Sequence, residues 1–463
     1  MAGIGFVLRK LYRQDNLSGL VGACLHSAFA SAGPWLFTVL ALGSIALIGK
    51  ELVGVNALFD FRVVLIYNFS FSLVVSGPIF MIVTRWLSDS IYKRDVTGAP
   101  GALFGSLIML WAIELVIAVP FYFLYAKIDT VMAVSAVVNF LLLSAVWLVG
   151  IFISALRNYK LITRAFLLGM IVAVLASMIM AKPYGAAGIL NGFSLGLSIT
   201  VAMLLGNMLA EYPYPIRQPF AFLPYFRTYW QIGLGGLVYS MSIWIDKWLM
   251  WFAPEATKMS NGLLIYPYYD STMFIAYLTT VPAMAMFLFN TETHFFEHYT
   301  RYYRDIEQKA SFAKIQKNHS ALMRSIFGSA GHFFILQGSI AFLGMLLAPE
   351  IIGFIKGNYQ QVGMLRFGLL GAFFQILTLF LLVLLTYFDN RKACLTIQLV
   401  FLVTNALFTW ASIEAGFAYY GLGYFMAAFF TFLIAAVAMT RYVVRLPYHT
   451  FITSNMSVRY SEK

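Results

Sequence analysis

The sequence predicts an all-α integral membrane protein. Apolar runs of about twenty residues, the length a helix needs to cross a bilayer core, recur from end to end. Hydrophobic residues make up 61% of the 463-residue chain and charged residues only 11%. The loops between the runs alternate between basic and nearly charge-free. Helices follow rather than strands, because the runs exceed the strand length of a membrane barrel and a lipid-facing backbone must satisfy its own hydrogen bonds.

About twelve transmembrane helices are expected. Residues 1–18 begin with AGIGFVLRKL (2–11), short, basic and amphipathic, and are expected to lie on the cytoplasmic membrane surface. The first run, 19–48, is too long and too late to be a cleaved signal and is read as a retained span. Runs at 61–83, 101–125, 130–155, 163–181 and 186–209 complete a first set over 19–210. A cytoplasmic linker at 211–228 leads to a second set over 229–440, with runs at 229–252, 269–289, 326–347, 363–386, 393–413 and 419–440. A cytoplasmic tail, 441–463, ends the chain.

The net charge of +12 follows the loops. The basic ends and loops carry Arg9, Lys10, Arg13, Arg85, Lys93, Arg94, Arg157, Lys160, Arg164, Arg391, Lys392, Arg441 and Arg445, whereas the alternate loops carry little beyond Lys50, Arg62, Lys127, Lys182, Lys258, Lys356 and Arg366. The positive-inside rule then puts both termini in the cytoplasm, which requires an even number of crossings. The charge is read as orientation and not as a nucleic-acid surface. Cys24 and Cys394 fall near cytoplasmic helix ends and are expected to be free thiols.

One connection, 290–325, is too long for a plain loop. It has helical periodicity, with Phe295, Tyr299, Tyr302 and Ile306 on one face and Phe312, Ile315, His319 and Leu322 on another. Arg301, Arg304, Lys309, Lys314, Lys317 and Arg324 supply charge. Two uses fit: a helix resting on anionic lipid, or a docking surface for a cytosolic partner, with Arg301, Arg304, Lys314, Lys317 and Arg324 as its candidates. A faint repeat relates SGPIFMIVTRWLSD (76–89) to TVPAMAMFLFNTE (280–292), which suggests two six-helix halves of one orientation.

Ionisable residues inside spans are functional candidates, because burying them in lipid is costly. WIDKW (244–248) places Asp246 and Lys247 side by side, about 100° apart around a helix and so not facing each other. Asp246 shares a face with Tyr239; Trp244 and Trp248 flank the pair. Asp246 is expected either to face a wet cavity or to pair with another helix; Lys247 either lines the same path or snorkels outward. Glu114 sits mid-span, as a substrate-path or proton-relay group or as a structural partner. Gly33-Pro34 and Gly77-Pro78 are expected to interrupt their spans, and Pro282 occupies the position in the repeat equivalent to Pro78. Arg85 and Asp89, four apart, form a surface pair or an inner gate. Aromatics are 17% of residues, placed as interfacial belts or as sugar-binding surfaces.

The sequence contains no catalytic signature. GSIALIGK (43–50) has the wrong spacing for a phosphate loop and is followed by Glu51 instead of Ser or Thr. No metal site and no cofactor are expected, and the chain is not expected to be an enzyme.

Taken together, AGIGFVLRKL, SAGPW (31–35), SGPIFMIVTRWLSDSIY (76–92), WIDKW, YDSTMFIAYLTTVPAMA (269–285) and TETHFFEHY (291–299) resemble the PelG family, inner-membrane transporters of bacterial Pel exopolysaccharide systems. The resemblance runs the length of the chain. It implies the fold of the multidrug/oligosaccharidyl-lipid/polysaccharide (MOP) superfamily, two six-helix lobes around a central cavity. It implies partners as well: a cytosolic glycosyltransferase and other membrane proteins, one a cyclic-di-GMP receptor. The implied substrate is a cationic, partly deacetylated aminosugar polymer, for which Asp246 and Glu114 are chemically apt and Lys247 less so. Two alternatives stay open: a flippase for a lipid-linked oligosaccharide, which calls for a basic site for pyrophosphate, and a non-transporting scaffold for the glycosyltransferase.

Overall fold

The computed structural model describes residues 17–155, 159–259, 261–291 and 295–453. The amphipathic stretch at 2–11 and the last ten residues of the tail lie outside them.

Helix α1, Leu17–Tyr92, is 76 residues long and turns at Gly54, where φ is 79° and ψ 175°. Unbroken, it would run about 114 Å, several times a bilayer core. A backbone at this positive φ is open to glycine and strained for other residues. Helix α4, Tyr159–Glu211, turns in the same way at Gly185 (φ 55°). The expected interruptions at Gly33-Pro34 and Gly77-Pro78 are absent: Pro34 and Pro78 lie inside continuous helix, and the break falls at Gly54. Proline removes a single N–H donor, a loss that a membrane helix tolerates.

Between these long elements lie α2, Ala99–Pro120, which ends in a π turn at Phe121–Tyr125, and α3, Thr130–Ala155. After α4 come the short α5, Leu223–Thr228, and α6, Trp230–Met250. A small antiparallel hairpin pairs Thr257 with Ile265 and Lys258 with Leu264. Eight stretches among the described residues are long and apolar enough to cross a membrane, and two of them, Gly33–Tyr92 and Lys160–Glu211, are long enough to cross twice. With α6 and the split element described next, the count reaches the expected twelve.

That split element is α7, Pro267–Leu278, and α8, Val281–Asn290, separated at Thr279-Thr280. Pro282 is the second residue of α8, where a proline costs no hydrogen bond. The remaining helices are α9, Phe296–Glu307; α10, Phe312–Leu346; α11, Ala348–Phe354; α12, Gln361–Tyr387; α13, Arg391–Ala415; and α14, Leu422–Val444. Asn390 caps α13, its side chain accepting from the Ala393 amide at 3.3 Å. Cys394 is a free thiol; the side chain of Cys24 lies outside the described residues.

The chain divides into two compact units, one running from Ala32 to Pro267 and the other joining the residues up to Ser31 to those from Tyr268 onward. The first contains α6. In the second, α12 is central, packed on α14 and α10, with Leu365, Leu369 and Ala372 buried against Ala276, Ala348 and Ile352.

In the first unit the segment 211–228 is seated on α2. A Cβ on Gly101 would fall 1.9 Å from the Arg217 carbonyl oxygen, and one on Gly105 would fall 1.7 Å from that of Pro219. The two glycines, one turn apart, form a groove that only a bare backbone can enter.

The long connection between α8 and α10 is a helical hairpin. Phe295, Tyr302, Ile315, His319 and Leu322 are all buried in protein. Most of both apolar faces expected from the periodicity is therefore covered by protein, with Tyr299 and Ile306 half-buried and Phe312, at the start of α10, left exposed.

Candidate functional site

Helix α6 carries the charged pair. Its buried face runs through Gly233, Gly236, Ser240 and Ser242 to Asp246, Lys247 and Met250. The expectation that Asp246 and Lys247 point apart is corrected. Lys247 Nζ lies 3.0 Å from both carboxylate oxygens of Asp246 and donates to the Ile243 carbonyl at 2.9 Å. The two Cβ atoms do diverge, but the four-carbon lysine stem folds back toward the helix N-terminus and brings the ammonium over its neighbour. Asp246 is 0% and Lys247 6% exposed, so the lysine does not snorkel outward. The pair places no net charge in the membrane.

The same end of α6 carries aromatic rings packed on α1. Trp248 stacks on Phe71 (5.0 Å between centroids, 10° between planes), and Trp251 stacks on Tyr67 (4.6 Å, 21°). Tyr67 stacks in turn on Phe121 at 5.8 Å. Its hydroxyl donates to the Leu264 carbonyl at 2.8 Å and accepts from the Leu264 amide at 3.1 Å, which ties the hairpin to α1. The Trp248 indole N–H is buried and has no acceptor among the described residues. Trp244 and Tyr239 are half-buried on the same helix.

The same two helices meet further along. A Cβ on Gly77 would lie 2.7 Å from the Gly236 carbonyl oxygen, and the reverse distance is 2.5 Å. Beyond this crossing Arg85 pairs with Asp89 at 3.2 Å, while its guanidinium sits 4.8 Å from the Tyr229 ring centroid. Arg85 and Asp89 therefore close one end of a seam between α1 and α6, and Tyr67 and Trp251 close the other. Gly77 fits this seam as a close-approach residue.

Glu114 is placed elsewhere. It is 0% exposed on α2 and faces α3, where the Ser144 hydroxyl donates to one carboxyl oxygen at 2.6 Å. Its other oxygen has no donor among the described residues.

The charge-based reading missed a neutral network. The Tyr122 hydroxyl donates to Asn68 Oδ1 at 2.7 Å, Asn68 Nδ2 donates to Asn139 Oδ1 at 2.9 Å, and Asn139 Nδ2 donates to Ser194 Oγ at 3.0 Å. All four residues are buried. Asn68 and Asn139 each stand in a long apolar run, which was the available signal, since a lone amide in a membrane helix seeks a partner. Asn139→Leu leaves the Asn68 amide and the Ser194 hydroxyl short of partners and is expected to cost about 1–3 kcal/mol. The check is a lower thermal midpoint of the detergent-solubilised protein; an unchanged midpoint would show the network to be dispensable.

Of the other sequence candidates, Arg301, Arg304, Lys314, Lys317 and Arg324 are exposed on α9 and α10. Arg301 pairs with Glu297 at 3.1 Å and Lys314 with Asp305 at 3.3 Å. No cluster of three or more His, Cys, Asp or Glu suited to a metal occurs among the described residues.

The family model PelG, exopolysaccharide exporter (EPS-E), matches residues 1–451. The chain belongs to the PelG exopolysaccharide exporter family. No curated protein matches it. Solved structures place this PelG-family chain in the MOP fold. A MOP superfamily transporter from Pyrococcus furiosus aligns with a TM-score of 0.59 at 14% identity, over 91% of this chain and 96% of the other. A variant of the Vibrio cholerae MATE transporter VcmN gives 0.62 at 13% identity, over 91% and 98%. An outward-facing multidrug resistance MATE transporter gives 0.60 at 14%, over 91% and 96%. At these identities the likeness establishes the architecture, an all-helical multi-pass membrane protein, and leaves the cargo to the family match.

Proposed function

We propose that this PelG-family chain exports a Pel-type cationic aminosugar polymer across the bacterial inner membrane, with both termini in the cytoplasm. Polysaccharide export rests on the family match over residues 1–451 and on the transporter fold. The finer reading rests on the buried Asp246–Lys247 pair near the end of α6, the helix whose Trp248 stacks on Phe71. An ammonium-bearing sugar offers Asp246 the same chemistry as Lys247. In this reading Lys247 holds the carboxylate while no polymer is present, and a passing aminosugar takes its place. The unpaired indole N–H of Trp248 suits a sugar hydroxyl, and neighbouring rings suit the apolar face of a pyranose. The lipid-linked alternative calls for an uncompensated basic site, and Lys247 is instead spent on Asp246.

The test replaces both charges at once, Asp246→Asn with Lys247→Gln, which keeps a hydrogen-bonding pair and leaves no buried lone charge. Membrane levels are expected to stay normal while secreted polymer falls roughly tenfold, the loss of one charge-assisted contact. Normal secretion from this variant would remove Asp246 from the path.

A further inference from the structure

The α9–α10 hairpin presents a rigid basic head outside the membrane. Asp305, 2% exposed, fixes it, accepting from Asn318 and pairing with Lys314 at 3.3 Å. Tyr302 is fully buried, its ring 6.0 Å from that of His319, and His319 donates to the Val443 carbonyl at 2.8 Å. What remains outward is mainly cationic, with Glu307 the exposed carboxylate between Arg304 and Lys309. Arg304, Lys309, Lys317 and Arg324 are exposed, and no carboxylate lies within ion-pair distance of them among the described residues. At the turn between the helices Phe312 is 69% exposed, an aromatic ring held out in the middle of this charge.

Helix α10 also measures how far the head stands from the membrane. It is continuous from Phe312 to Leu346. Its last charged residue before the apolar stretch is Arg324, and residues 326–347 fill a bilayer core at about 33 Å of rise. Residues 312–325 then extend about 21 Å further. The headgroup layer accounts for only about 5–7 Å of that, and even a tilt of about 40° leaves roughly 16 Å of projection. Phe312 is therefore carried past the lipid headgroups of its own bilayer. An anionic lipid surface fits the charge but not the reach.

We propose that the exposed face of the α9–α10 hairpin docks a protein partner with an acidic surface and an apolar socket, with Phe312 as the anchor and Arg304, Lys309, Lys317 and Arg324 as the surrounding charges. This geometry matches the general pattern of an aromatic hot spot ringed by polar contacts. Lys314 is excluded from the docking set, because its ammonium is committed to Asp305.

The test is photo-crosslinking of the full-length chain in its own cells, with p-benzoylphenylalanine in place of Phe312. Phe334, exposed on the apolar part of the same helix, is the control position. The expected result is one protein adduct at position 312 only, mapping by mass spectrometry to an Asp/Glu-rich segment. Lys309→Glu with Lys317→Glu is expected to reduce it roughly tenfold or more at unchanged membrane levels. Lysine substitutions in the mapped acidic segment are expected to restore it. Adducts to lipid alone, protein adducts of equal yield at 312 and 334, a mapped segment without acidic residues, charge reversal without effect, or no adduct at all would each overturn the proposal.

Discussion

Lys247→Met is expected to destabilise the protein by about 3–5 kcal/mol, the usual cost of leaving one partner of a buried ion pair uncompensated. Asp246 is fully buried, and Lys247 Nζ contacts both of its oxygens at 3.0 Å. Removing the ammonium strands a carboxylate that solvent does not reach. The readout is the thermal midpoint of the protein in detergent, or its yield in the membrane if unfolding is irreversible. Asp246→Asn with Lys247→Gln should recover most of the loss, because no lone charge then remains. A single Lys247→Met variant as stable as the parent would mean that Asp246 is neutral or solvated in the folded state.

Gly105→Ala is the second substitution with a large expected effect. Its new methyl would sit 1.7 Å from the Pro219 carbonyl oxygen, and the obstacle is backbone, which has no rotamer to swing aside. Segment 211–228 must lift from α2, at an expected cost of about 3 kcal/mol or the loss of its docked state. Arg217 is exposed beside this contact, so trypsin cleavage there should accelerate in Gly105→Ala and in Gly101→Ala. Gly150→Ala, at a glycine with nothing within 4 Å of its would-be Cβ, should digest like the parent. Equal digestion of all three would show that the linker is held by other contacts.

Run length and charge alternation carried the helical class and the number of crossings into plain view, because the bilayer imposes a length that composition must meet. The positions of the breaks were less visible. Gly33-Pro34 and Gly77-Pro78 look like interruptions, yet a membrane helix tolerates proline, while Gly54 and Gly185 turn the chain because of their backbone angles and not their context. Asp246 and Lys247 stood out as charges in a span. Their contact with each other did not, since helical geometry assigns neighbours to different directions and only the flexible lysine stem overrides it. The Asn68–Asn139–Ser194 network and the Gly101–Gly105 groove stayed hidden for a related reason. Each is made of small or neutral residues whose meaning depends on what another part of the chain brings to them. The 290–325 segment was legible as amphipathic helix, but periodicity alone could not say whether lipid or protein covers its apolar faces.

The neutral pairing on α6 also has an electrical consequence. While Lys247 and Asp246 remain together, displacement of α6 through the membrane field moves no net charge at this site, and the potential does no work on it. Once the two are parted, each charge that moves relative to the field couples to it at about 2.3 kcal/mol per 100 mV for a full crossing. Opening the pair therefore converts an electrically silent helix into one on which the membrane potential can act.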